Sequence, residues 1–258
     1  MKMKMKMKNL KIVVYLYQLQ LYLHRFLLQK LLLVSNLKVM TVFFITRSLS
    51  YLECNATLEK AAKQANQKDL HKLIQQFLSS CSSSHHLFDG TINIYPSAIA
   101  IFHSPSDISG TSGICKERIR CVQSWRKGPA RHDTVFVKAP GITTMSGLTV
   151  ARVRLLFKLH HNGIIYSCAL VHDYNTIGDK PDEDTGMWMV QRALHSNRWP
   201  QARIISLVDV LRAAHLIPVY NDLPPISKTV DYTNCLDHHQ FRTFYVNRYI
   251  DDHAFEIL

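Results

Sequence analysis

The sequence predicts an α+β protein: N-terminal helices, then a small antiparallel β-barrel of SH3-like or BAH-like type, closed by a C-terminal helix. Three observations carry this expectation. From Phe88 onward, short apolar runs alternate with clusters of turn residues. No helix of crossover length separates those runs, which argues against a parallel sheet. Asn162-Gly163 lies between two long β-rich runs within Leu148–Val171, a strong hairpin signal because both turn positions need positive φ.

The elements follow in order. MKMKMKMK is low-complexity and reads as an in-frame microsatellite, an artefact of the gene model rather than a selected domain. The apolar runs Ile12–Leu23, Phe26–Leu28, Leu31–Val34 and Val39–Ile45 come next. Lys11, His24-Arg25, Lys30 and Lys38 interrupt every window of the roughly 20 residues that a membrane span needs. A basic, apolar arm over residues 1–56 is therefore expected, with membrane association the lesser alternative. Thr57 is a plausible helix N-cap, with Leu58, Ala61, Ala62 and Ala65 at helical spacing. Asp69 opens a second helix whose Leu70, Leu73, Ile74, Phe77 and Leu78 share a face. The Ser-rich run Ser79–Ser84 reads as a linker, so a helical segment over 57–84 and a β-rich domain over 85–258 are expected.

Within that domain, Ile92, Ile94 and Ala98–Phe102 suggest strands broken at Pro96, and Ser104–Gly113 is a loop. Arg118–Trp125, Thr134–Val137, Met187–Val190, Arg203–Leu207 and Leu216–Tyr220 read as strands, and Val208–Ala214 as a helical turn. A two-residue turn at Asn162-Gly163 pairs His161 with Ile164, Leu159 with Tyr166, Phe157 with Cys168, Leu155 with Leu170 and Val153 with His172. Alternation then gathers Ala151, Val153, Leu155, Phe157, Leu159, Tyr166, Cys168 and Leu170 on a core face. It leaves Arg152, Arg154, Lys158 and His160 on a wet, basic one. Leu223-Pro224-Pro225 is a break. Leu236–Ala254, with Phe241, Phe244, Tyr245 and Tyr249, reads as a terminal amphipathic helix.

The net charge of +12 is unevenly placed. Residues 1–50 hold seven Lys, two Arg and no acid, which leaves 22 basic against 19 acidic residues for the remainder. The basic character is mostly a property of the arm, which weakens a nucleic-acid reading drawn from charge alone. The six Cys form no C-x-x-C pair, as expected of reduced, mostly buried thiols in an intracellular protein.

Chemical motifs are sparse. There is no P-loop and no G-x-G-x-x-G, and Ser109–Gly113 is not a nucleophile elbow, so no cofactor and no catalytic residue are expected. Cys168 and His172 are four residues apart on one strand, about 13 Å, too far to share a zinc ion. The acidic run DKPDEDTG (Asp179–Gly186) is a solvated loop on the simpler reading. The alternative is a metal-assisted hydrolase or nuclease remnant using Asp182, Glu183, Asp184 and His172. Between Lys116 and Lys138, seven basic residues surround Trp125 against two acids. Arg118, Arg120 and Arg126 of that stretch, with Arg152, Arg154 and Lys158 of the hairpin, are the candidate phosphate contacts.

Eight ordered phrases form a pattern: FDGTINIYPSAIAIF, SDISGTSGICKERIR, SWRKGPARHDTVFV, LTVARVRLLFK, CALVHDY, GDKPDEDTGMWMV, ISLVDVLRAAHLIPVY and FYVNRYIDDHAFEI. In this order they resemble the C-terminal region of proteins encoded by Plavaka-type DNA transposons of basidiomycete fungi. The resemblance runs from about Phe88 to Leu258, more weakly through Leu58–Leu78. It implies a truncated copy without the transposase-like part, a nuclear location, and DNA, chromatin or another transposon-encoded protein as partner. It supplies no catalytic residue. One departure stands out: Asp173-Tyr174 follows CALVH where the family usually has an aromatic pair. The function expected is a non-catalytic, transposon-derived binding module; the remaining alternative is a relic open reading frame without function.

Overall fold

The computed structural model describes residues 42–45, 53–81, 87–104, 106, 113–139, 141, 144–220 and 241–258. The arm before residue 42, Ser82–Ser84 of the linker, most of the loop 104–113, the Leu223-Pro224-Pro225 break and the start of the expected terminal helix lie outside the described residues.

Two short strands, β1 (Val42–Ile45) and β2 (Glu53–Ala56), precede the helices. The first helix, α1 (Leu58–Ala65), begins as its N-cap foretells: the Thr57 hydroxyl accepts from the Lys60 amide at 3.3 Å. It ends on Asn66 in the left-handed region, and the next amide, of Gln67, reaches back to the Ala62 carbonyl at 2.9 Å. The second helix, α2 (Leu70–Cys81), buries Leu70, Ile74 and Leu78, one residue per turn on one stripe.

Strands β3 (Ile92–Tyr95) and β4 (Ser97–His103) divide at Pro96, and β5 (Ile114–Val122) starts four residues before the strand expected there. The chain continues through β6 (Arg131–His132), β7 (Thr134–Lys138), β8 (Leu148–His161), β9 (Ile164–Ile177), β10 (Trp188–Arg192), β11 (Ala202–Ser206), β12 (Val210–Ala213), β13 (Leu216–Pro218) and β14 (Thr243–Val246). A short helix, α3 (Asp252–Ile257), ends it. Among the described residues every strand pairing is antiparallel.

The α+β class holds, but the described strands do not close into a barrel. Among the described residues the strands make two open sheets: one ordered β1-β4-β5-β6, and a ten-stranded one along β12-β7-β8-β9-β10-β14-β13, to which β3, β2 and β11 attach. The β8–β9 hairpin is the spine of the larger sheet. Its outer edges are long enough for two partners each: β7 and β3 along β8, β11 and β10 along β9.

The hairpin register agrees with expectation for four of its five pairs, from His161–Ile164 to Leu155–Leu170. The fifth fails: Val153 pairs with Val171, because a bulge between Val153 and Leu155 absorbs Arg154 as an extra residue. A one-residue slip exchanges the faces of everything beyond it. Ala151, Val153 and Leu156 therefore pack beside Ala98, Phe102 and Ile119 of the smaller sheet. Leu155, Phe157 and Leu159 pack with Ala61, Leu70 and Ile74 of the helices. The single core face expected of the hairpin is thus two half-faces in two cores. Full burial of each such side chain stabilises by roughly 1.5–3 kcal/mol.

Two further expectations fail. Val208–Ala214 is a single 3₁₀ turn, Leu207–Asp209, followed by β12, which lies on β7 with Arg212 opposite Phe136. Edge pairing with β7 decides this segment over its helical spacing. In the described part of the expected terminal helix, the aromatic residues follow period two instead. Phe244 and Val246 are buried while Thr243 and Tyr245 are half-buried, the signature of β14. The helix proper starts only where Asp251 caps it, its carboxylate accepting from the Ala254 amide at 2.8 Å.

Candidate nucleic-acid interface

Strand β5 alternates. Cys115, Ile119 and Cys121 face the core, whereas Lys116, Arg118 and Arg120 face out at the two-residue repeat of a strand, about 6.7 Å. The turn after β5 brings the chain back through Trp125 to β6, which pairs Val122 with Arg131. The Gly128 amide closes this turn on the Trp125 carbonyl at 2.8 Å, and a Cβ at Gly128 would come within 3.1 Å of that same oxygen.

The result is a cavity of about 730 Å³. Its walls include Lys116, Arg118, Arg120, Arg131 and Arg152, with Glu117 and Asp133 the acids and Trp125 the aromatic residue. Trp125 gathers the arginines: the guanidinium carbons of Arg120, Arg131 and Arg126 lie 4.8, 5.4 and 5.5 Å from its ring centre. Burial, the neighbouring charge of Arg131, and those of Arg118 and Arg126 lower the Arg120 pKa from its usual value, against the opposing pull of Asp133. Of the lining residues, His132, Thr134, Arg152, Ala213 and Ala214 are buried.

Both acids in the walls are engaged by the protein itself. Asp133 accepts from Arg131 Nε and from the Arg120 backbone amide, each at 2.8 Å. Glu117 accepts from the Ala213 amide at 3.0 Å and lies 3.4 Å from Arg212 Nε and 3.5 Å from His215 Nε2. Burial alone would raise the Glu117 carboxyl, but the His215 hydrogen bond, the Arg212 charge and the Ala213 amide together hold it below the usual range. Behind the wall, Arg212 is 2% exposed, forks onto Asp251 at 2.7 and 2.5 Å, and lies 4.7 Å over the Phe102 ring. This buried ion cluster ties α3 to β12 and keeps the Glu117 carboxylate turned to the protein.

Comparison with protein-family models, with curated proteins and with solved structures finds no match.

The structure treats the six candidate contacts unequally. Arg118, Arg120 and Arg152 line one cavity, and Arg126 stands over the tryptophan beside it. Arg154 and Lys158 do not line it. The wet outer face of the hairpin is also corrected. Arg152 is only 6% exposed, in a cross-strand row with Thr134, His172 and Ala202, and the bulge turns Arg152 and Lys158 to opposite faces. Lys158 instead lies over the Tyr95 ring at 5.6 Å. Lys116 and Arg131 belong to the cavity although hairpin periodicity pointed elsewhere. Their signal is the interleaving of basic residues with Trp125. Nothing in local pattern marks Arg212, whose partners come from β5 and from the start of α3.

The metal reading does not hold. Among the described residues no group of three or more His, Cys, Asp and Glu side chains comes together to hold an ion. Asp182 spends one carboxylate oxygen on the Thr185 hydroxyl and amide, at 2.7 and 3.0 Å, which holds its carboxyl below the usual range. Glu183 pairs with Lys180, and Asp184 is exposed. His172 lies mid-β9, where burial, then Arg154 and Arg152, push its pKa down to about 3. The acidic run is a turn that leads into β10: the Asp182 amide bonds the Met187 carbonyl at 2.9 Å. Cys121 and Cys168 are packing residues, each pushed up to about 12 by burial. No helix among the described residues is long and apolar enough to cross a membrane.

Proposed function

We propose that this chain is a non-catalytic module, derived from a Plavaka-type transposon, that binds nucleic acid through the basic cavity along β5 and β6. The supporting observation is that Lys116, Arg118, Arg120, Arg131 and Arg152 line one cavity with Trp125, against two carboxylates, of which Glu117 is held by Ala213 and Asp133 is paired with Arg131. Gathering like charges costs free energy in the unbound protein, and a phosphate offsets that cost. Arginine forks match phosphate oxygens, and contacts of this kind are independent of base sequence. A nuclear location and a chromatin or transposon-encoded partner belong to the same proposal through the family resemblance.

A salt titration of oligonucleotide binding by the full chain tests it. Four phosphate contacts on a single strand predict that log K falls against log salt with a slope of about −3. Replacing Arg118 by Gln should reduce that slope by about one contact. Absence of binding at the lowest salt refutes the proposal.

A further inference from the structure

The shape of the cavity narrows the class of nucleic acid. A duplex presents its phosphates on a convex surface, and such a surface meets a flat or grooved partner. Here Lys116, Arg118, Arg120, Arg131 and Arg152 line a concavity together with buried His132, Thr134, Ala213 and Ala214. A cavity of about 730 Å³ has room for a terminal phosphate and its nucleotide. The charge is unbalanced in the same sense. Glu117 is held by Ala213, Arg212 and His215, and Asp133 is paired with Arg131 and accepts from the Arg120 backbone amide; the five lining cations still outnumber the two lining acids. A phosphodiester brings one negative charge, whereas a terminal phosphate monoester carries −1.5 to −2 at neutral pH and three acceptor oxygens. Cation–π contact with Trp125 pins Arg120 and Arg131, so less side-chain freedom is lost when they close on a ligand. Outward from this point, Arg118 and Lys116 repeat along β5 at a spacing comparable to that of successive phosphates in an extended single strand.

We infer that the cavity is a receptor for the 5′-phosphorylated end of a single strand, with the terminal phosphate at Arg120 and Arg131 and the strand leaving past Arg118 and Lys116. This rests on the nucleic-acid reading above and adds to it the identity of the recognised group.

The test compares the full chain's affinity for a short oligothymidylate, fluorescent at its 3′ end, with and without a 5′-phosphate. The 5′-phosphorylated strand should bind at least tenfold tighter, and thymidine 5′-monophosphate should compete with it. Arg120→Gln, checked for folding by circular dichroism, should abolish the tenfold preference. Equal affinity of the two wild-type complexes overturns the inference and leaves backbone binding standing. Failure of the monophosphate to compete, or tighter binding of a phosphoserine peptide than of the phosphorylated strand, also overturns it. Absence of binding by either strand at low salt removes both this inference and the reading beneath it.

Discussion

Arg212→Met removes the cation at the centre of the buried ion cluster and keeps the volume of its stem. The arginine forks onto Asp251, touches Glu117, and covers the Phe102 ring, against which the His253 ring also stacks at 4.6 Å. Its loss leaves Asp251 and Glu117 without their shared partner. Breaking a buried pair from one side destabilises by about 3–5 kcal/mol. Here Asp251 and Glu117 retain 28% and 21% side-chain exposure, so water relieves part of the penalty and about 3 kcal/mol is expected. For a unit of this size that is a fall in Tm of roughly 6–12 °C. Urea unfolding of the full chain measures it. Asp251→Asn supplies the second side of a double-mutant cycle, since asparagine still caps α3. The double variant should lose at least about 1 kcal/mol less than the two single losses combined. The carboxylates add a sign. Burial raises Asp251, but the Arg212 hydrogen bond and the Ala254 amide outweigh it and hold the carboxyl low. The resulting stability is present above the unfolded pKa near 4 and is lost as pH falls toward the folded value. A loss below about 1 kcal/mol for Arg212→Met, or strict additivity in the cycle, refutes the assignment of this cluster as the tie between α3 and β12.

His172 gives pH dependence in a milder range. Its folded pKa lies near 3, so the folded protein keeps it neutral while the unfolded chain takes up a proton below about 6.5. Stability should therefore drop by about 2 kcal/mol between pH 7 and pH 5 on this account, with His253, also lowered, adding in the same direction. Denaturation at the two pH values checks this, and a His172→Asn variant whose slope equals that of wild type contradicts it. Gly163→Ala at the hairpin turn meets no atom within 4 Å, but the backbone there has φ +76°. A loss of about 1 kcal/mol from strain alone is expected, with the sheet intact by circular dichroism. A loss above about 3 kcal/mol would show that the turn does more than reverse the chain.

Features set by neighbours in sequence could be read without coordinates. The Thr57 cap, the stripe Leu70–Ile74–Leu78 and the Asn162-Gly163 turn each rest on bonds within a few residues, and each occurs where expected. Features set by distant partners could not. Phe244 follows strand period because β10 and β13 flank it, although its spacing to Phe241 and Tyr245 suits a helix equally well. Arg212 is buried because Glu117 and Asp251 arrive from elsewhere in the chain. The candidate site divides in the same way. Arg118, Arg120 and Trp125 stand close in sequence and were readable as a basic, aromatic stretch. That Arg152 joins their cavity while Lys158 does not depends on the bulge, which no local pattern announces.

The bulge at Arg154 also makes β8 a strand in which length is constrained more tightly than identity. Substituting Arg154 keeps the residue count and so keeps both half-faces in place. Deleting one residue between Val153 and Leu155 removes the phase shift that serves two cores at once. Such a chain seats Ala151 and Val153 under the small sheet only by turning Leu155, Phe157 and Leu159 away from the helices, or the reverse. Among relatives of this chain, gaps in alignment should accordingly avoid these few positions even where the residues themselves vary freely.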